Sequence, residues 1–133
     1  MENVIIRRNI TVMVDSDIIK AMDITEQIAS EMGFLPRECL FLRLATEEAC
    51  MNAYEYCQKT NQLPFEVFWK CGKEKLIIVV KQHGKKFDIT RRDVVNKGLR
   101  GRGLQLIIHI VDHVYLEQKG NNVLFYMCKY KDH

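Results

Sequence analysis

Glu48 and Asn52 are the residues with the most chemistry to offer, and their spacing is what draws them together. They stand four positions apart in the stretch PRECLFLRLATEEACMNAYEYCQK, residues 36–59. On a helix that spacing stacks one side chain above the other. At about 100° per residue, Phe41, Leu44, Ala45, Ala49 and Tyr56 form one broad apolar face, and Arg43, Glu47 and Tyr54 form the other. Glu48 and Asn52 fall inside the apolar sector, flanked by Phe41 and Ala45. A carboxylate and an amide turned toward a core cost several kcal/mol unless something satisfies them. Two uses fit: a structural pair hydrogen-bonded to a neighbouring loop, or a base beside a ligand for a hard cation, next to a phosphate. The residue types leave both open.

A second constellation is Gly101-Arg102-Gly103-Leu104, placed at the start of the apolar run LQLIIHIV, residues 104–111. Glycines there let backbone N–H groups come close to a ligand, and a helix amino end favours an anion. Arg91, Arg92, Lys97, Arg100 and Arg102 add positive charge around it. The plainer alternative is a flexible loop end with a solvated basic surface.

These groups need elements to hold them. Pro36 suits the first position of the long helix. Ahead of it, residues 5–14 alternate as a strand with one wetter face. Asp15-Ser16-Asp17 is rich in N-cap residues, so a helix should follow to about Met32, with Gly33 as its stop. Leu63-Pro64 breaks the chain after the long helix. Residues 65–71 alternate, Gly72-Lys73-Glu74 turns, and 76–80 is an unbroken apolar run, which predicts a hairpin whose second strand is central and covered on both faces. Residues 81–102 are polar and basic, a long connection of the kind that is often functional. The run 104–111 predicts a buried helix, and strands at 114–117 and 123–129 flank a turn at 119–122. Helices and strands are clustered, which predicts an α/β (α+β) two-layer sandwich with a mixed, mostly antiparallel sheet.

The 133 residues suit one domain, 1–133, and 47% hydrophobic with 28% charged residues is the composition of an ordinary globular protein. A net charge of +3 is too small to argue for nucleic acid, and the basic stretch lacks the interleaved aromatics that stack on bases. Five cysteines without a C-x-x-C predict reduced, buried thiols. With no signal-peptide core and no transmembrane run, the expectation is a cytoplasmic protein away from membranes. Among single residues, Trp69 reads as a sheet or interface residue, His109 as a satisfied core histidine, and Cys50 and Cys57 as packing. His83, beside Gly84, is a weaker candidate for facing a ligand.

Taken together, these motifs resemble those of the GHKL (histidine kinase-like) ATPase superfamily, and more closely its single-domain serine-protein-kinase anti-sigma factors. The E-x-x-x-N box of that family reads Glu48-Ala49-Cys50-Met51-Asn52 here, and G-x-G-L-x-L reads Gly101-Arg102-Gly103-Leu104-Gln105-Leu106. Val111-Asp112-His113-Val114 is similar to the family's stretch after that helix. The resemblance implies the Bergerat ATP-binding fold, with helices on one face of the sheet. It implies Glu48 as base or water-positioning group, Asn52 as ligand to Mg2+, and Gly101, Arg102, Gly103 and Leu104 against the phosphates of ATP, at the end of a lid near residues 89–100.

The first glycine box departs from the family. D-x-G-x-G-F reads Gln82-His83-Gly84-Lys85-Lys86-Phe87. Gln82 stands where the family's Asp accepts from the adenine amino group. Its oxygen can also accept, without a charge. Gly84 is kept, and Lys86 replaces the second glycine, where it would either crowd the nucleotide or neutralise a phosphate. Asn122 stands where the family often has a Thr beside adenine. Two functions follow from the resemblance. One is an ATP-dependent serine/threonine-protein kinase, expected to be a homodimer in the manner of its look-alikes, that phosphorylates an anti-anti-sigma factor and sequesters a sigma factor. The other is a degenerate, non-catalytic module that regulates a partner with weak or no ATP binding.

Overall fold

The computed structural model describes residues 3–85 and 99–131. In chain order the elements are β1 (Ile5–Val12), α1 (Ser16–Met32), α2 (Pro36–Lys59), β2 (Phe65–Cys71), β3 (Lys75–His83), α3 (Leu99–Ile110), β4 (His113–Lys119) and β5 (Asn122–Tyr130). The five strands form one sheet in the order β1-β2-β3-β5-β4. Every described pairing is antiparallel, so the expected mixture narrows to a purely antiparallel sheet.

Local chemistry sets the helix ends. α1 stops at Gly33, whose φ of +94° suits glycine, and the next N–H, of Phe34, reaches back to the Ala29 carbonyl at 3.0 Å. At its start no side chain caps the helix, and Asp17 instead ties the chain that leads into it. The N-cap residue Asp15 makes no side-chain cap bond. Asp17 Oδ2 accepts from the Met13 and Val14 N–H groups at 2.9 and 3.2 Å, and those bonds hold its carboxyl below the usual carboxylate range. α2 opens with Pro36, and Glu38 Oε1 reaches back to the Leu35 N–H at 3.0 Å.

β3 is central and buried on both faces, as its apolar run predicts. Leu76, Ile78 and Val80 join the main core beneath the helices, together with Met127 and Phe125 of β5. Val79 lies on the other face with Leu124, Tyr126, Phe68 and Ile77, and there Tyr115 stacks on Tyr126 at 4.4 Å. Large side chains of the sheet itself therefore cover the face without helices.

Inside the main core, Trp69 Nε1 donates to Thr25 Oγ1 at 2.8 Å, Thr25 and Thr46 Oγ1 atoms are 2.8 Å apart, and Thr46 Oγ1 donates to the Leu42 carbonyl at 2.9 Å. All three of these side chains are 0% exposed. Each donor of these three side chains has an acceptor, which is the condition for a polar group to sit in a core. All five cysteines are thiols, four of them buried. Burial alone pushes Cys50 up to about 12.

Two helices differ from the expected faces. The buried residues of α2 are Cys39, Leu42, Ala45, Thr46, Ala49, Cys50, Ala53 and Cys57. Phe41 is 48% exposed instead of buried. The small residues on the true inner face let the helix lie close to its neighbours. α3 is buried on one side only: Ile107 is in the core while Ile108 is 49% exposed. His109 is exposed too, with Nδ1 placed 2.8 Å from the Gln105 carbonyl of its own helix, so it is not a core histidine. No helix among the described residues is long and apolar enough to cross a membrane.

Candidate nucleotide site

The rotation of α2 changes where Glu48 and Asn52 sit. They are half-buried on the flank of the helix instead of the middle of its inner face. That flank is where α3 packs against α2. The contact point on α3 is Gly103, which is buried. A Cβ built on Gly103 would stand 2.6 Å from Glu48 Oε2, 3.6 Å from its Cδ and 3.9 Å from Asn52 Nδ2. The first distance is shorter than any carbon–oxygen contact allows, so only glycine fits here while Glu48 keeps this position. The two boxes of the sequence therefore meet at one place, the carboxylate of one against the backbone of the other.

The glycines reach this place differently from the expectation. α3 begins at Leu99, five residues before the expected helix start. Gly101, Arg102, Gly103 and Leu104 lie within its first turns and not in a loop ahead of it. Leu104 is half-buried. Gly103 thus acts through close helix–helix approach, while the helix amino end, with its favourable field for an anion, lies a turn further back.

Gln82 lies on the helix-covered face of β3, in register after Leu76, Ile78 and Val80 and paired with Val123 of β5. It is 8% exposed, and its Nε2 is buried with no hydrogen-bond partner among the described residues. Gly84 follows at a φ of +140°, a backbone shape that favours glycine. Its N–H donates to the Asn121 carbonyl at 2.9 Å and its carbonyl accepts from Gln118 Nε2 at 3.1 Å. Gln118 Nε2 also lies 2.8 Å from the Gly120 carbonyl and 3.1 Å from that of Asn122. This clamp fixes the end of β3 to the β4–β5 turn. It was not legible in sequence, because a glutamine in a polar strand carries no signal of what it ties.

Asn122 pairs with His83, and strand alternation puts both on the sheet face opposite to Gln82. The structure therefore places Asn122 and His83 on the face away from Gln82 and from the helices that carry Glu48 and Asn52. Lys86 and the expected lid, apart from its last residues at the start of α3, lie outside the described residues. Phe41 and Leu44, expected in the core, instead line an outward depression with Met22, Leu40, Arg43 and Glu47, on the side of α2 turned from the sheet.

The donor set fits a magnesium nucleotide. Among the described residues no three His, Cys, Asp or Glu side chains gather to cage a metal. A Mg2+ ion here would rest on Asn52 together with phosphate oxygens and water, which is how this ion is commonly held in phosphoryl-transfer sites. Gly103 leaves room beside Glu48 that any side chain would fill, and Gln82 offers a buried donor without an acceptor.

Comparison with known proteins bears on the fold and the family. A chain in the crystal structure of the SiaB–SiaC complex from Pseudomonas aeruginosa superposes with a TM-score of 0.65, covering 93% of this chain and 89% of that one at 13% identity, which establishes the fold. Serine-protein kinase RsbW of Bacillus licheniformis is 30% identical over an alignment that spans 68% of this chain and 64% of the length of that protein. The family model for the histidine kinase-like ATPase domain matches residues 15–127, and with most of its length so matched the chain belongs to the histidine kinase-like ATPase domain family.

Proposed function

We propose that the protein binds Mg·ATP between α2 and α3 and transfers the γ-phosphoryl group to a serine or threonine of a partner protein. The observation that carries this is the meeting of Glu48 and Asn52 with Gly103, so close that a side chain at 103 would displace the Glu48 carboxylate. Glu48 takes the proton of the attacking hydroxyl as its oxygen bonds to phosphorus and the bond to the ADP oxygen breaks. Asn52 would hold the Mg2+, whose charge would offset that of the phosphates. Positioning and charge neutralisation supply most of the rate in such transfers. The likeness to a serine-protein kinase supports a protein substrate, and the family resemblance points to an anti-anti-sigma factor as that substrate, a sigma factor as the client, a homodimer and the cytoplasm.

The test is calorimetric titration with ATP and ADP in the presence of Mg2+, on the protein and on Asn52→Ala. Binding by the protein should weaken at least about tenfold in the variant, the loss of one charge-assisted contact. Equal affinity in both would remove Asn52 from the site. A second reading, a regulatory module without catalysis, is favoured by the neutral Gln82 at the base-reading position. Thermal melting separates the two: a site in use raises the midpoint with excess nucleotide, and no shift at millimolar Mg·ATP leaves the binding module.

A further inference from the structure

Gln82 carries a feature that the kinase reading leaves unused. On β3 it follows three apolar residues of the core, and its Nε2 is buried with no acceptor among the described residues. A buried donor without an acceptor weakens a fold, so such a group asks for a partner from outside, water or ligand. Resting on the nucleotide reading above, we infer that Gln82 reads the purine edge and that it admits 6-oxopurine triphosphates as well as ATP.

The inference follows from donor and acceptor patterns. A carboxylate only accepts, so it pairs with the amino group of adenine and repels the carbonyl oxygen that hypoxanthine or guanine presents at the same place. A carboxamide has one donor end and one acceptor end. Against adenine, Gln82 Oε1 accepts from the amino group while Nε2 donates to a ring nitrogen. Against a 6-oxopurine, the amide turns over: Nε2 donates to the carbonyl oxygen and Oε1 accepts from the ring N–H. Both bases satisfy both ends. The edge that an acidic residue would use to choose adenine no longer chooses.

Inosine triphosphate is the sharpest probe, because its base differs from adenine at that edge and lacks the extra amino group of guanine. ATP and inosine triphosphate, each with Mg2+, are titrated against the intact protein by calorimetry. Affinities within about tenfold of one another support the inference, since a mispaired buried edge costs about that much or more. Inosine triphosphate weaker than that, with ATP bound, overturns it and leaves the kinase reading standing. Failure of both nucleotides to bind overturns the two together. Gln82→Glu, measured at about pH 8, well above the ordinary glutamate range, replaces the amide nitrogen by a carboxyl oxygen of the same shape. It should lower the affinity for inosine triphosphate relative to ATP by tenfold or more, and an unchanged ratio also overturns the inference. The wild-type ratio decides even if the variant does not fold.

Discussion

Two sets of polar side chains lie in or beside the core, and they are finished differently. Thr25, Thr46 and Trp69 form a closed chain in which each donor meets an acceptor, ending on the Leu42 carbonyl. Glu48 and Gln82 are not closed in this way: one carboxylate oxygen rests against a glycine, and one amide nitrogen has no described acceptor. The same helix, α2, contributes to both, with Thr46 on its inner face and Glu48 on its flank. A polar group that is fully paired inside the fold serves the fold. One left half-paired at the edge of a core is available to something else.

Breaking the closed set should have the largest effect on stability. Thr25→Val keeps shape but removes the acceptor of the Trp69 N–H and one partner of Thr46. The expected loss is about 1–3 kcal/mol, the penalty for a buried donor left unmade, read as a lower denaturation midpoint at unchanged slope. Nucleotide affinity of the folded protein should stay the same. A variant that lost affinity while keeping stability would abolish the distinction drawn between the two regions.

Gly103→Ala should act the other way. The new methyl meets the far end of a flexible glutamate side chain, which can swing aside, and alanine is the better helix former. Stability should therefore change by less than about 1 kcal/mol. The swing takes Glu48 from its place and fills the space beside it, so nucleotide binding should fall at least about tenfold. Wild-type affinity in Gly103→Ala would mean that the close approach of α3 to α2 is only packing.

Most of the fold was legible because its signals are local. Alternation in β2, the unbroken run of β3, Gly33 at the end of α1 and the Gly120 turn each name their element without reference to the rest of the chain. The face of α2 was not. Phe41 and Leu44 drew the expected apolar sector toward themselves because they are large, whereas the helix packs through Leu42 and a row of alanines, cysteines and a threonine that are small. Depth against neighbours chose that face, and depth is a tertiary property. The error also placed Glu48 and Asn52 inside the apolar sector when they lie on its flank, the better position for groups that must meet a ligand. α3 was misjudged for a related reason: a short run that is apolar all round does not say that its sheet will leave Ile108 in water. Asn122 was legible as a position in a motif, but its face depended on the register with β3, which only the paired strands fix.

The smallest expected effect joins the two regions through Cys50. This thiol lies between Glu48 and Asn52 in sequence but faces the core, 0% exposed, and burial pushes it up to about 12. At neutral pH it has almost no thiolate in the native state, and its raised value stabilises the fold at and below the ordinary thiol range, a contribution lost as pH climbs toward 12. Alkylation of Cys50 at neutral pH must therefore pass through an opening that separates α2 from its neighbours. If that opening also dismantles the Glu48–Asn52–Gly103 contact, nucleotide at about three times its dissociation constant should slow the reaction about fourfold, or about 0.8 kcal/mol. Peptide mapping by mass spectrometry isolates Cys50 from the partly exposed Cys71, whose rate the ligand should leave alone. Equal slowing at both thiols would show that the ligand tightens the whole molecule, and no slowing at Cys50 would show that the closed and the half-open regions open independently although one helix carries both.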